Sequence, residues 1–406
     1  MANRDGPLSG VLVLDLTRML PGPIATQILA DLGADVIRIE SPQGDITRLV
    51  PPYLPGQDGS EWSSLFLSVN RSKKTILLDL KREDHRQILS LLAKKADVFV
   101  EGFRPGTLTK FGFDYDTTST LNPKIIYCSI SGFGQTGPYA SRPGHDINYF
   151  GLAGWLSETE FNKEIQYPPI KLPLTPIADL TSGLYATIGI LAALNAQKAS
   201  GKGTYIDTSI FESVLSCISG FSGLLPLLNN LSPSEDKVFT ENPLSGHLPY
   251  FSLYLTKDRK WLSVGALEPV FWENFCGAIG LPELKSRQFP NSGEEAKGAY
   301  LRIQEVLLTK TRNDWLKAFE NKNTCVFPVY TLAELQTDPQ VKARSMLSRV
   351  PHPGGGSFLI PRTPLVFSEW ELPTPEAPPD VNTHAREVLE MLGYSDDLIR
   401  QYFASL

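Results

Sequence analysis

Residues 11–39 of the chain read VLVLDLTRMLPGPIATQILADLGADVIRI. The apolar run Val11–Leu16 predicts a buried β-strand, because helices cover both faces of a parallel sheet. Pro21-Gly22-Pro23 begins a helix, since proline is tolerated in a first turn, and Gly33 ends it. The run Val36–Ile39 predicts the next strand. Strand, helix and strand in this order indicate a parallel sheet with crossover helices.

The same alternation continues along the first half of the chain. Further segments of this kind are the strands Thr75–Leu80, Asp97–Val100 and Lys124–Ile130 and the helices Glu83–Lys95 and Ile177–Ala199. The sequence therefore predicts an α/β protein with a doubly wound, Rossmann-like large domain, whose ligands bind at the carboxyl ends of the strands. The Gly-x-Gly-x-x-Gly fingerprint is absent after the first strand, which disfavours a nicotinamide enzyme.

The composition of the chain changes after about residue 225. Proline, serine and asparagine cluster between Leu224 and Pro249, and strand-like segments follow at Tyr250–Leu255 and Trp261–Val264. We expect a smaller α+β domain here and helices at Ala385–Leu392 and Asp396–Ala404. The predicted domains are a large domain at 1–200, a linker at 201–225, a small domain at 226–330, and a linker with C-terminal helices that return to the large domain at 331–406.

Composition excludes several classes of protein. The net charge of −6 over 406 residues gives no general attraction for nucleic acid. No apolar run approaches the roughly 20 residues of a membrane span, and the first residues do not read as a secretory signal, so we expect no membrane partner and a cytoplasmic protein. The four cysteines are far apart and form no Cys-x-x-Cys pair, which argues against a zinc site or a disulfide scaffold.

Three residues are candidates for acid/base or nucleophilic chemistry. His145 follows a predicted strand and a glycine-rich turn, where it could shuttle a proton near neutral pH or be an ordinary structural histidine. Asp179 lies in the first turn of the long helix, where an aspartate either caps the helix or serves as a carboxylate beside amide donors for an oxyanion. Glu268 follows an apolar strand of the smaller domain and is either a solvated loop residue or a carboxylate that orients a histidine.

Basic residues lie beside several predicted strands. They are Arg38, Arg71, Lys73, Lys81 and Arg104. Isolated surface cations are weak signals, but together at one sheet edge they would hold a polyphosphate ligand on an otherwise acidic protein.

Several motifs resemble the class III CoA-transferase superfamily, of the CaiB/BaiF type, from Gly10 to about Tyr394. They are Leu14-Asp15-Leu16-Thr17 with Pro21-Gly22-Pro23, Ala30 to Arg38, Asn70 to Lys74, Leu78-Asp79-Leu80-Lys81, Phe103-Arg104-Pro105-Gly106, Ser131 to Pro138 and Gly201-Lys202-Gly203. The resemblance implies an acyl-CoA substrate and an interlocked homodimer, with no cofactor beyond the CoA moiety and no metal. In a eukaryote it is also compatible with a peroxisomal or mitochondrial location.

The superfamily has two branches, and both use an aspartate that matches Asp179. In the transferases it is the nucleophile that carries CoA as an aspartyl thioester. In the α-methylacyl-CoA racemases it works with a histidine to move the proton α to the thioester carbonyl. The segment Gly144-His145-Asp146-Ile147-Asn148-Tyr149 is similar to the racemase branch, as is Gly265-Ala266-Leu267-Glu268-Pro269. The helix start at Asp179 looks like the transferase version.

The favoured hypothesis is a racemase of 2-methylacyl-CoA thioesters, and the alternative is a CoA-transferase. The third hypothesis is a CoA-binding protein without catalysis. The resemblance assigns catalysis to Asp179, His145 and Glu268. It assigns CoA binding to Arg38, Arg71, Lys73, Leu78, Asp79, Leu80, Lys81, Arg104, Gly144, Asp146, Asn148 and Tyr149.

Overall fold

The computed structural model describes residues 5–156, 175–219, 244 and 246–406. The chain divides into two compact units. The first unit contains Met1–Gly220 and Ser345–Leu406, and the second contains Phe221–Arg344.

The described part of the first unit is built on a six-stranded sheet whose neighbouring strands are all parallel. Its order is β5-β2-β1-β6-β7-β8, so the chain winds outward from β1 in both directions. Such a reversal leaves a crevice at the carboxyl ends of the two strands where it occurs, here β1 and β6. The strands are β1 (Leu12–Leu16), β2 (Asp35–Glu40), β5 (Lys74–Leu77), β6 (Val98–Glu101), β7 (Ile126–Ser131) and β8 (Thr204–Ser209), and short antiparallel pairs form from β3 (Tyr53–Pro55) with β4 (Glu61–Ser63) and from β12 (Leu347–Pro351) with β13 (Ser357–Pro361).

Helices pack on both faces of this sheet. Alternate residues of β6 and β7 therefore contribute to two separate hydrophobic cores. One core contains Ala25, Ala186 and Ile190, and the other contains Leu89, Val388 and Ile399. The helices of this unit are α1 (Pro21–Asp31), α2 (Ser64–Val69), α3 (Glu83–Lys95), α4 (Tyr115–Leu121), α5 (Asp146–Leu152), α6 (Ile177–Ser200), α7 (Ile210–Ser216), α13 (Ala385–Met391) and α14 (Asp396–Ala404), with 3-10 turns at Ile46–Leu49 and Leu108–Phe111.

Helix α6 is long and apolar enough to cross a membrane by length and composition, with a mean hydropathy of 1.6. The expectation that no segment reaches this limit is therefore wrong for α6. In the first unit, however, α6 packs on α1 as a core helix. A side chain at Gly183 would come within 2.8 Å of Pro21 O and Ile24, so glycine is what permits this close approach.

The described part of the second unit has a three-stranded antiparallel sheet of order β11-β10-β9. Its core is rich in aromatic side chains, including Trp272, Phe275 and Trp315. Its elements are β9 (Phe251–Leu255), β10 (Trp261–Gly265), α8 (Pro269–Ile279), a 3-10 segment at Pro282–Arg287, α9 (Gly293–Leu307), α10 (Arg312–Phe319), β11 (Val326–Pro328), α11 (Leu332–Leu335) and α12 (Pro339–Ala343).

The mixed α/β class and the parallel central sheet agree with the prediction from sequence. The predicted linker at 201–225 is wrong in its described part, because β8 and α7 lie there. Strand β8 reads TYIDTS and its first residues are exposed, so it lacks the apolar run that marks the buried strands. Residues 331–344 belong to the second unit, and not, as predicted, to the C-terminal segment that returns to the large domain.

Candidate functional site

The ends of three strands lie close together at the carboxyl edge of the sheet. A side chain at Gly102, just after β6, would lie 3.6 Å from Thr17 and 3.8 Å from the carbonyl oxygen of Ile130. Thr17 follows β1, and Ile130 belongs to β7. A doubly wound sheet is expected to have a crevice at this edge. Because Gly102 has no side chain, only its backbone borders the crevice at this point.

The start of α6 is capped by a residue from a different helix. The Oδ1 atom of Asp146 accepts the amide N–H of Ala178 at 2.6 Å and that of Asp179 at 3.2 Å. These amides are among the first donors of α6, which have no partner within the helix. The expectation that they would be donors for an oxyanion is therefore wrong, because Asp146 occupies both of them. The same contact gives Asp146 a structural role, while its assignment to CoA binding stays a prediction.

The carboxyl group of Asp179 is left free of a capping role. No hydrogen-bond donor contacts it among residues 5–156, 175–219 and 246–406. Burial, and next the negative charge of Asp146, raise the pKa of Asp179 to about 7. A carboxyl group with such a pKa exchanges a proton readily near neutral pH.

His145 lies next to Asp146 in the chain and is exposed. It is the residue that precedes α5, and its amide N–H donates to Oδ1 of Asn148 at 3.0 Å. The side chain of Asn148 thus anchors the backbone of His145, and His145 itself is exposed to solvent. Asp146 links the two predicted bases, because it follows His145 in sequence and holds the amide of Asp179.

Tyr149 packs beneath this segment, with only 3% of its surface exposed. A side chain at Gly132 would come within 2.4 Å of the Tyr149 hydroxyl, and one at Gly144 within 2.8 Å of its ring. Both positions therefore require glycine. Burial, followed by the charge of Asp179, raises the pKa of Tyr149 to about 12. Its hydroxyl remains protonated at neutral pH and is a hydrogen-bond donor in the neighbourhood of Asp179.

This arrangement suits proton transfer. The carboxyl group of Asp179 is protonated and ionised in comparable amounts near pH 7, and the imidazole of His145 is a side chain of the type that serves as a general acid or base. A proton α to a thioester carbonyl requires groups of this kind for its removal and return.

Two of the predicted CoA-binding cations are structural. Arg38 is 1% exposed and forms ion pairs with Asp15 at 3.1 Å and with Asp45. The Nζ atom of Lys73 lies 3.1 Å from Oδ2 of Asp15 and 2.8 Å from Oγ1 of Thr26. Their assignment to a polyphosphate is wrong in this structure, because a buried cation must be paired and these pairs use both groups.

Arg71 and Leu78 are corrected in the same way. The guanidinium of Arg71 pairs with both carboxylate oxygens of Asp31 and is 6% exposed. Leu78 is 2% exposed and packs in a hydrophobic core, so only its backbone is available to a ligand. Sequence position beside a strand did not reveal which way these side chains point.

Exposed cations do occur at the same edge of the sheet. Lys81 and Arg104 are exposed, as predicted, and Asp79 and Leu80 are partly exposed beside Lys81. Arg18, which follows β1, is also exposed, and its guanidinium lies 5.0 Å from the ring centre of Phe103. The sequence argument missed Arg18, although its place directly after the first strand could have indicated it.

Glu268 belongs to the second unit. It is exposed and immediately precedes α8. The loop before it is fixed by Gln288, whose amide donates to the carbonyls of Ala266 and Leu267 at 3.1 and 2.7 Å. Burial, and then the charge of Glu268, raise the pKa of the Cys325 thiol, so Glu268 lies near Cys325 within this unit.

Comparisons with known proteins agree on a family. A model of CoA-transferase family III matches residues 8–385. The chain is 34% identical to an acetyl-CoA:oxalate CoA-transferase of Acetobacter aceti, over 92% of each chain. It is 31% identical to an alpha-methylacyl-CoA racemase of Homo sapiens, over 97% of this chain and 95% of the relative. A crystal structure of a CAIB/BAIF family protein from Brucella suis matches 96% of this chain and 100% of its own, with a TM-score of 0.80 and 31% identity. The resemblance found in the motifs is confirmed, and the two reactions are represented at similar identity.

Proposed function

Because the chain belongs to CoA-transferase family III, we propose that it is an acyl-CoA enzyme that racemises 2-methylacyl-CoA thioesters by proton transfer at the α-carbon. The observation that carries this proposal is that Asp146 connects two groups that can exchange a proton: it accepts the amide N–H of Asp179 and directly follows His145 in the chain. On one side is Asp179, with a pKa of about 7, and on the other is the exposed imidazole of His145.

In the proposed reaction, one of these two groups removes the α-proton from one face of the bound thioester. The electron pair of the broken C–H bond moves into the carbonyl, which gives an enolate. The other group then donates its proton to the opposite face of the α-carbon. Both groups must reach either protonation state near neutral pH, and the raised pKa of Asp179 meets this condition.

We propose that the CoA portion binds at the carboxyl edge of the sheet. Lys81 and Arg104 are the exposed predicted cations there, and Arg18 adds a third. Together they supply positive charge for the phosphates in a chain of net charge −6. The buried pairs of Arg38, Lys73 and Arg71 would support this edge without contacting the ligand.

Deuterium exchange tests the reaction directly. A 2-methylacyl-CoA of one configuration is incubated with the enzyme in heavy water without any acceptor acid. We expect deuterium at the α-carbon together with the opposite epimer. Absence of exchange across several acyl chain lengths rejects the racemase.

A CoA-transferase is the second candidate, and similarity to transferases such as the Acetobacter aceti relative favours it. In that reaction the Asp179 carboxylate attacks the thioester and forms a mixed anhydride as the CoA thiolate leaves. The thiolate then attacks the aspartyl carbonyl of the anhydride, which releases the donor acid as a carboxylate and leaves CoA on Asp179 as an aspartyl thioester. With a pKa near 7, about half of this carboxyl group is ionised at neutral pH and available as a nucleophile. The transferase is placed second because it uses Asp179 alone and gives His145 no role. It predicts ping-pong kinetics and a CoA adduct on Asp179 by mass spectrometry. Transfer retained in Asp179→Ala eliminates the mechanism through an aspartyl thioester.

Two further expectations stay proposals. We propose that Glu268 is a catalytic carboxylate and that the chain forms an interlocked homodimer. Leu184, Tyr185 and Ile188 of α6 are 44%, 44% and 59% exposed, which is compatible with a subunit contact on this helix. Light scattering on the purified protein measures the mass of the assembly, and a monomer at all concentrations excludes the dimer.

A further inference from the structure

Strand β5 forms one edge of the central sheet, and the C-terminal residues of the chain cover it. The amide N–H of Thr75 donates to Nδ1 of His384 at 3.3 Å, and its carbonyl accepts the amide of His384 at 3.1 Å. The amide of Leu77 donates to Oδ1 of Asn382 at 2.9 Å, and its carbonyl accepts from the Tyr402 hydroxyl at 2.7 Å. Backbone groups of an edge strand that would otherwise face solvent are thus satisfied.

The loop that follows this strand also has several hydrogen bonds between its backbone and side chains of helix α3. Nδ1 of His85 accepts the amide of Asp79 at 2.8 Å. The guanidinium of Arg86 donates to the carbonyls of Leu80 and Lys81 at 2.8 and 3.0 Å. The loop Leu78–Lys81 therefore has side-chain partners along most of its backbone.

Two aromatic rings join the strand contacts to the loop contacts. The rings of His85 and Tyr402 are 5.5 Å apart, and the two residues are 1% and 5% exposed. The Tyr402 hydroxyl also lies 2.6 Å from Oδ1 of Asn382. Because Nδ1 of His85 accepts a hydrogen bond, this histidine is neutral with its proton on Nε2.

We propose that Tyr402 and His85 are positioning residues that fix the loop Leu78–Lys81 for CoA, so that the last helix of the chain is part of the CoA-binding apparatus. This inference rests on the proposed function, which places CoA at this edge. A loop that is already ordered loses little conformational entropy when its ligand binds. Loosening it therefore weakens CoA binding and leaves proton transfer at Asp179 unchanged.

Single substitutions separate positioning from folding. Tyr402→Phe removes one hydroxyl and keeps the ring. His85→Leu removes the acceptor for Asp79, whereas His85→Asn keeps an oxygen near the position of Nδ1. Tyr394→Phe is the matched control, because Tyr394 packs against the same hydrophobic core but no bond from its hydroxyl to the loop is found in the described part of the chain.

Calorimetric titration with free CoA and steady-state kinetics provide the readout. We expect Tyr402→Phe and His85→Leu to raise the Kd for CoA and the KM for acyl-CoA roughly 5- to 10-fold, with kcat changed less than about 2-fold. His85→Asn should recover most of the affinity, and Tyr394→Phe should equal the wild type.

Unchanged Kd and KM in Tyr402→Phe and His85→Leu, with only a lower Tm, overturn the inference, as does a loss confined to kcat. These outcomes leave the proposed function standing if the wild type binds CoA. Wild-type protein that binds no CoA contradicts the proposed function and this inference with it.

Discussion

Two groups of charged side chains in the first unit differ in how their charges are compensated. Around Asp15, the cations of Arg38 and Lys73 lie at 3.1 Å from one buried carboxylate. The charge that acts on Asp179 is that of another carboxylate, Asp146. In the described part of the chain, no cation is paired with Asp179.

The pKa values of the two aspartates diverge accordingly. Burial raises the pKa of Asp15, but Lys73 and Arg38 outweigh it and hold that pKa well below its usual range. Burial and Asp146 act in the same direction on Asp179 and raise its pKa to about 7. The comparison teaches that removal of a paired buried carboxylate would leave its cations uncompensated, whereas a carboxyl group without a cation partner is available for chemistry.

The substitution Asp179→Asn should have the largest effect of all, and this effect is on the rate of catalysis. Removal of an acid/base group should slow α-proton exchange by about 10²–10⁴-fold. The folded state binds the Asp179 proton more tightly than the unfolded state, so the native carboxyl group makes the fold less stable as the pH rises from about 4 to about 7. Asparagine should therefore not lower the free energy of unfolding at pH 8. Exchange rates and urea denaturation measure the two effects, and exchange at the wild-type rate contradicts the assignment.

Asp15→Asn should give the opposite result. It leaves Lys73 and Arg38 buried without their shared anion, which costs about 3–5 kcal/mol of unfolding free energy. Urea denaturation at neutral pH measures this loss. A change of less than about 1 kcal/mol in the free energy of unfolding would mean that the Asp15 carboxylate is not required to compensate the two buried cations.

Asp146→Asn sharpens the comparison because it removes charge but keeps an oxygen acceptor for the start of α6. The pKa of Asp179 should fall, although burial, the larger cause, continues to hold it above the usual value. The limb of the pH–rate profile that reports Asp179 should therefore move to lower pH, with the folded structure intact by circular dichroism. A profile identical to the wild type shows that Asp146 has no influence on this carboxyl group.

The smallest expected effect concerns exposed cations. Lys81→Ala should weaken CoA binding about 2- to 5-fold, and the difference should shrink at high salt, because an exposed charge contributes about 0.2–1 kcal/mol. Lys94→Ala, an exposed lysine in the last turn of α3, is the control. Equal affinities for the two variants exclude Lys81 from the CoA site.

Much of the fold followed from sequence because buried parallel strands read as apolar runs. The helix Glu83–Lys95 and the last helix, Asp396–Ala404, begin and end at the predicted residues. Strand β8 was missed, because an edge strand half exposed to solvent lacks such a run.

The site was predictable in part. His145 and Asp179 were proposed from residue type and resemblance. The structure connects both to Asp146, which follows His145 in the chain and accepts the amide N–H of Asp179. The cap by Asp146 joins positions 32 and 33 residues apart, and the partners of Arg38 and Lys73 are set by the pairing of β1, β2 and β5. Such contacts depend on tertiary packing and leave no local pattern in the chain.

The central claim is that His145 and Asp179 act on opposite faces of one α-carbon. The direct measurement is α-deuterium exchange of separate R and S 2-methylacyl-CoA epimers by His145→Ala and Asp179→Asn. We predict that each variant loses racemisation and that any residual exchange is confined to one epimer, with the two variants retaining opposite epimers. Racemisation of both epimers at the wild-type rate by either variant contradicts the account.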